Sequence, residues 1–165
     1  MKKMILTLLV ALPMSVFAQK FGHFNSADII QCMPEYAASQ SKLNAQAKVY
    51  EDHLQELQDE LKLKYDDYDR VKATMTDTQK QEREKELTAK NEIMQNYYQE
   101  SQKDLERVQQ EERSKLFDKI NQAVEEIGKT GGFVYIMDTT SGIPYISKTL
   151  SVDVTEQLKK KLGVK

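Results

Sequence analysis

Apolar positions along the chain change their spacing twice. From Leu43 they run Leu43, Ala47, Tyr50, Leu54, Leu57, Leu61, Tyr68, Val71 and Met75 in alternating steps of four and three, with Lys64 alone out of pattern. In heptad terms Leu43, Tyr50, Leu57, Lys64 and Val71 take position a, and Ala47, Leu54, Leu61, Tyr68 and Met75 take position d. A seven-residue repeat held this long predicts a helix wound against a partner helix in a left-handed supercoil. A second run is less regular: Leu87, Met94, Tyr98, Leu105 and Val108 keep the register, then the pattern slips to Leu116, Ile120, Val124 and Ile127. Asn91, Ser101 and Glu112 interrupt its seam. On either side lie short β-like pieces at 21–25, 132–138 and 143–147, and Pro144 assigns the last to a sheet edge.

Helix breakers agree with this division, because no Gly stands between His23 and Ile127 and no Pro between Glu35 and Ile143. Glu, Lys, Gln, Leu and Ala dominate the interval, and these side chains lose little rotamer freedom in a helix. The weakest point is Thr76-Asp77-Thr78, which predicts a turn near 74–78 with Asp77 or Thr78 capping the second helix. A first arm of about 40 residues is about 60 Å long at 1.5 Å per residue, and folding back gives an antiparallel hairpin. Gly128, Gly131 and Gly132 end the second helix, and Asp153 with Glu156 opens a short terminal helix that Gly163 closes.

The expected fold is therefore α+β and mostly helical: a long antiparallel helical hairpin, a coiled-coil arm over 35–128, on a small β-strand association body formed by 19–34 and 129–165. About fifty residues make a marginal core on their own, and three short strands leave open edges that gain from pairing across subunits. This predicts a homo-oligomer, with Phe21, Phe24, Phe133, Tyr135, Ile143 and Tyr145 as candidate association residues. Residues 1–18 read differently: Lys2 and Lys3, an apolar run from Met4 to Met14, then Val16-Phe17-Ala18, the pattern of a secretory signal peptide cleaved after Ala18. A lipid anchor needs a Cys directly after that run, and the only Cys is Cys32.

Charge and chemistry narrow the function. Without Lys2 and Lys3, 22 basic residues face 26 acidic ones, a net charge of −4, which does not suit nucleic acid. One Cys permits no internal disulfide. His23 and His53 lie far apart, and Cys32, His23 and Asp28 lack zinc spacing, so neither a metal nor a cofactor is implied. Carboxylates alternate with Lys and Arg, as in Glu82-Arg83-Glu84-Lys85-Glu86, the composition of a solvated helix face. No nucleophile, acid–base pair or phosphate loop emerges, and an enzyme is not expected. Among the aromatic and Met residues of the outer hairpin, Tyr68, Met75, Met94 and Tyr98 fill seam positions. Tyr65 and Tyr97 fall beside the seam, where adaptable side chains can touch a non-native polypeptide.

The order of elements, with Phe24-Asn25-Ser26, Glu111-Glu112-Arg113-Ser114-Lys115-Leu116, Val134-Tyr135-Ile136-Met137-Asp138 and the closing segment 151–162, resembles the Skp (OmpH-like) family of periplasmic chaperones. The resemblance spans essentially the whole chain after the leader. It implies a trimer whose β bodies associate while three hairpins surround a cavity holding unfolded outer-membrane β-barrel proteins, without ATP. This chain is acidic where members of that family are basic, so no lipopolysaccharide or lipid site is carried over and membrane contact is at most peripheral. The alternative is a structural coiled-coil scaffold of the envelope with one fixed partner. The regular first arm favours that scaffold, while the irregular second arm and the glycine-marked body suit the hairpin.

Overall fold

A computed structural model describes residues 19–164 of the chain; the expected leader and its cleavage site lie outside the described residues. Strand β1 (Lys20–Phe24) leads into helix α1 (Ser26–Cys32), and helix α2 follows (Pro34–Val71). Asn25 ends the strand and starts α1: its Oδ1 accepts from the amides of Ala27 and Asp28 at 3.0 and 3.3 Å. Pro34 opens α2, where its missing N–H costs nothing. After 38 residues, about 57 Å, the chain tightens into a 3₁₀ turn (Lys72–Thr74) and reverses.

Neither Asp77 nor Thr78 caps the second helix. Thr76 is the cap: its hydroxyl accepts from the Gln79 amide at 3.3 Å while Gln79 Oε1 accepts from the Thr76 amide at 2.9 Å. A reciprocal pair satisfies the amides of the cap and of the third helical residue at once. Helix α3 (Asp77–Gly131) then runs 55 residues, passing through Gly128 and Gly131 before Gly132 terminates it at φ 64°. Gly131 is needed for close approach, since a Cβ there would stand 2.6 Å from the Phe133 ring.

Strand β2 (Phe133–Asp138), a 3₁₀ turn (Thr139–Ser141), strand β3 (Ser151–Asp153) and helix α4 (Thr155–Leu162) complete the chain. The sheet has the order β2-β1-β3 with both pairings parallel. Parallel neighbours require a crossover, and here the whole hairpin is the crossover from β1 to β2. The return to β3, on the far side of β1, has to pass over a face of the sheet. That requirement overturns the expected strand at 143–147: Gly142 at φ 80° and Pro144, which has no N–H, make this stretch the irregular crossing segment. The third strand lies at 151–153 instead.

The core sits at the foot, between the inner sheet face, α1, α4 and the base of α3. Ile29, Ile120, Val154 and Leu158 are fully buried, with Phe24, Met33, Leu116 and Ala123 around them. The foot therefore draws on α3 residues within 35–128, the span expected for the arm. Phe24 is one of these core residues, only 5% exposed, so its role as an association residue is corrected. Strand alternation sends Gly22 and Phe24 inward and Phe21 and His23 outward. Phe133 also packs against the core, with Lys20 Nζ 4.2 Å above its ring.

A polar clasp ties the sheet to α1. Ser26 N and Thr140 N donate to Asp138 Oδ1 at 3.2 and 3.0 Å, and the Ser26 and Thr140 hydroxyls lie 2.9 Å apart. Burial opposes ionisation of Asp138, but these hydrogen bonds outweigh it and hold its carboxyl below the usual range.

Candidate client-binding arm and association face

The arm is α2 laid antiparallel on α3. Leu61, Leu87 and Val108 are buried in its seam, and Leu43, Tyr50, Leu54, Leu57, Tyr68, Val71, Met75, Met94 and Leu105 are half-buried. One expected seam residue does not belong: Tyr98 is 53% exposed. Its neighbour Tyr97 faces α2, with its ring edge-on to Tyr50 and His53 at centroid distances of 6.1 and 4.6 Å. The seam steps Met94, Tyr97, Ser101, Leu105, Val108, so the smallest of these side chains, Ser101, is buried and donates to the Tyr97 carbonyl at 2.7 Å. Spacing alone admits either tyrosine, since steps of three and four are both helical neighbours. The deciding signal is the aromatic pair waiting on the opposite helix. Of the two tyrosines expected beside the seam, Tyr65 is exposed and Tyr97 is part of the packing.

Polar bonds between the helices supplement this thin seam. Lys64, the polar intruder in the heptads, reaches Glu86, and Lys90 bonds Glu60 at 2.7 Å. Lys42 bonds Glu112 at 2.8 Å, while the Tyr50 hydroxyl donates to Asp104 at 2.6 Å and that of Tyr68 to Glu84 at 2.7 Å. Four of these bonds favour the charged form of their carboxylate. Lys90 lowers the pKa of Glu60, Lys64 and then Arg83 that of Glu86, Lys42 and then Lys115 that of Glu112, and Tyr50 and then Arg107 that of Asp104. Such pairs on an exposed helix surface set register more than they add stability.

The outer face of the sheet is the second region of interest. Phe21 and Tyr135 lie against each other with ring centroids 4.8 Å apart. With Met137 and the crossing segment's Ile143, Tyr145, Ile146 and Leu150 they line a concavity of about 150 Å³. Tyr145 is 80% exposed. Four of the six expected association residues, Phe21, Tyr135, Ile143 and Tyr145, are thus gathered on one surface, while Phe24 and Phe133 serve the core behind it. His23 is on the same outer face, its Nδ1 2.8 Å from the Ser151 hydroxyl.

Among the described residues no three His, Cys, Asp or Glu side chains converge to hold a metal ion, and no helix is long and apolar enough to cross a membrane.

A family profile described as outer membrane protein (OmpH-like) matches residues 20–162. The chain belongs to the OmpH-like family. Among the relatives of this OmpH-like chain is the chaperone protein Skp of Yersinia enterocolitica, 28% identical over 156 residues, covering 93% of this chain and 94% of that protein. The chaperone protein Skp of Pectobacterium atrosepticum is 28% identical over 144 residues, covering 86% and 87%. A solved OmpH-like structure from Caulobacter crescentus CB15 superposes with a TM-score of 0.72 over 87% of this chain and 83% of that one, at 17% identity, and shares the fold. The expected family and the mostly helical arm-on-body fold both hold.

Proposed function

We propose that this OmpH-like protein is an ATP-independent holding chaperone of the periplasm that binds unfolded outer-membrane β-barrel proteins and prevents their aggregation. The observation that carries this reading is the arm: two long solvated helices, held by a thin seam, with large apolar side chains left outside it, among them Tyr65. A client held by many weak contacts along such a surface stays mobile. It leaves when membrane insertion buries its lipid-facing residues, a sink that needs no nucleotide.

Export follows from the leader at residues 1–18, with cleavage after Ala18. Assembly into a homo-oligomer, a trimer in our reading, uses the outer sheet face with Phe21, Tyr135, Ile143 and Tyr145. No catalytic residue and no cofactor enters the proposal. The scaffold alternative needs a heptad seam open to a partner, whereas the seam of α2 is spent on α3 of the same chain.

Light scattering tests the reading directly. A denatured outer-membrane β-barrel protein diluted from urea into buffer should stay soluble with an equimolar amount of assembled protein and no ATP. Unchanged scattering at that ratio would end the proposal.

A further inference from the structure

The arm's exposed apolar residues are not spread evenly around it. Val49, His53, Glu56, Glu60, Leu63 and Asp67 follow one another at helical steps of four and three on α2, so they form one stripe. On α3 the stripe is Glu86, Lys90, Ile93, Tyr97, Glu100 and Asp104. The Lys90–Glu60 bond and the contact between the Tyr97 and His53 rings show that both stripes border the same side of the seam. That flank therefore presents Leu63, Val49 and Ile93, which are 70, 59 and 53% exposed, beside the half-buried Tyr97. Tyr98, one position on from Tyr97, is rotated about 100° around the helix, off that stripe, and is 53% exposed.

Charge separates arm from foot. Residues 35–128 hold 22 acidic and 15 basic side chains, a net charge of −7, while the rest of the chain after Ala18 holds 4 acidic and 7 basic, a net of +3. Along the apolar flank the carboxylates are largely paired, Glu60 with Lys90, Glu86 with Lys64 and Arg83, Asp67 with Arg70, and Asp104 with Arg107. The contact surface is thus close to neutral, and the surplus negative charge surrounds the rod as a whole. A helix pair is about 20 Å across, so at low ionic strength, where the Debye length reaches about 30 Å at about 0.01 M, a segment lying on one flank feels that surplus.

We infer that the flank of Val49, Leu63, Ile93 and Tyr97 is the docking surface for the client, and that it selects non-native polypeptide segments in which apolar residues alternate with Lys and Arg. The inference rests on the chaperone reading above and adds a face and a charge preference to it. Apolar contact supplies the adhesion, and the acidic rod raises the local concentration of cationic segments.

Two synthetic unstructured peptides test it on the full-length mature protein. Both carry the same Leu and Phe residues; the charged positions are Lys in one and Glu in the other. Fluorescence anisotropy at low salt should give binding of the Lys peptide about tenfold tighter, a gap that closes in 0.5 M salt. Leu63→Ser with Ile93→Ser should weaken the Lys peptide about fivefold with helicity intact, and Tyr98→Ser should leave it unchanged. Equal or tighter binding of the Glu peptide would overturn the inference, as would a Tyr98→Ser loss matching that of the double variant. If the double variant lowers the oligomer mass, the flank is instead a contact between copies and the inference fails. Protection of a denatured barrel protein without any Lys preference would remove this inference alone. A Lys preference without protection would remove the chaperone reading and leave the docking flank in place.

Discussion

Foot and arm are built from the same chain with opposite economies of packing. The foot encloses Ile29, Ile120, Val154 and Leu158 completely, drawing on a sheet and three helices. The arm, with far more residues, buries Leu61, Leu87, Val108 and the small Ser101 in its seam and relies for most of its length on half-buried side chains and ion pairs at the surface. Two helices alone present only one stripe each to the other, so a hairpin can never enclose a side chain as three layers do. A rigid anchor and a compliant, solvated rod follow from geometry before any function is assigned.

Substitutions measure that contrast. Ile120→Ala should cost about 2–5 kcal/mol, because it opens a cavity among residues that cannot collapse into it. Leu87→Ala should cost about 1–2 kcal/mol, since the seam is open to water and relaxes. Denaturant unfolding of both variants gives the comparison, and equal losses would erase the distinction between the regions. At the far end of the arm, Thr76→Ala removes the capping box and should cost about 1 kcal/mol, seen as faster amide exchange confined to the turn and the first turns of α3.

Acid should reach the arm as well as the Asp138 clasp of the foot. Glu60, Glu86, Glu112 and Asp104 have folded pKa values below their ordinary ones. Their contribution is therefore fully present above those ordinary values and is lost as pH falls through the depressed ones. Helicity followed by circular dichroism should be flat from pH 7 to about 5 and decline below about 4. A decline beginning near neutral pH would place the sensitive groups elsewhere. The smallest effect concerns the two adjacent tyrosines: Tyr98→Ala should stay within about 0.5 kcal/mol of the parent, and Tyr97→Ala should lose more because its ring packs on Tyr50 and His53. The reverse order would restore Tyr98 to the seam.

These two tyrosines also mark where sequence reasoning stops. The length and partnering of α2 and α3 were legible because a heptad repeat and a breaker-free interval are properties of the chain itself. Tyr97 and Tyr98 differ by one helical step, and the choice between them was made by Tyr50 and His53 on the other helix, which no local pattern reveals. Thr76 was passed over for Asp77 and Thr78 because a capping box is recognised from Gln79 as much as from the cap. The segment 143–147 has the composition of a strand, yet the order β2-β1-β3 forces the chain across the sheet there. Phe24 and Phe21 look equivalent in sequence, and only the face on which α1 and α4 pack separates a core residue from a surface one. For the function, the leader and the order of elements pointed to the family, while the acidic charge balance departs from it. The exposed flank of the arm appeared only once Lys90 and Glu60, and Tyr97 and His53, were seen in contact.

Amide hydrogen exchange of the mature protein, alone and with a denatured outer-membrane β-barrel protein bound, tests this division of labour most directly. The account expects amides of α3 near Ile120 and of β1 to be the slowest to exchange and unchanged by the client, while amides of the arm around Leu63 and Ile93 exchange faster and slow on binding. Protection gained in the foot, with the arm unaffected, would contradict it.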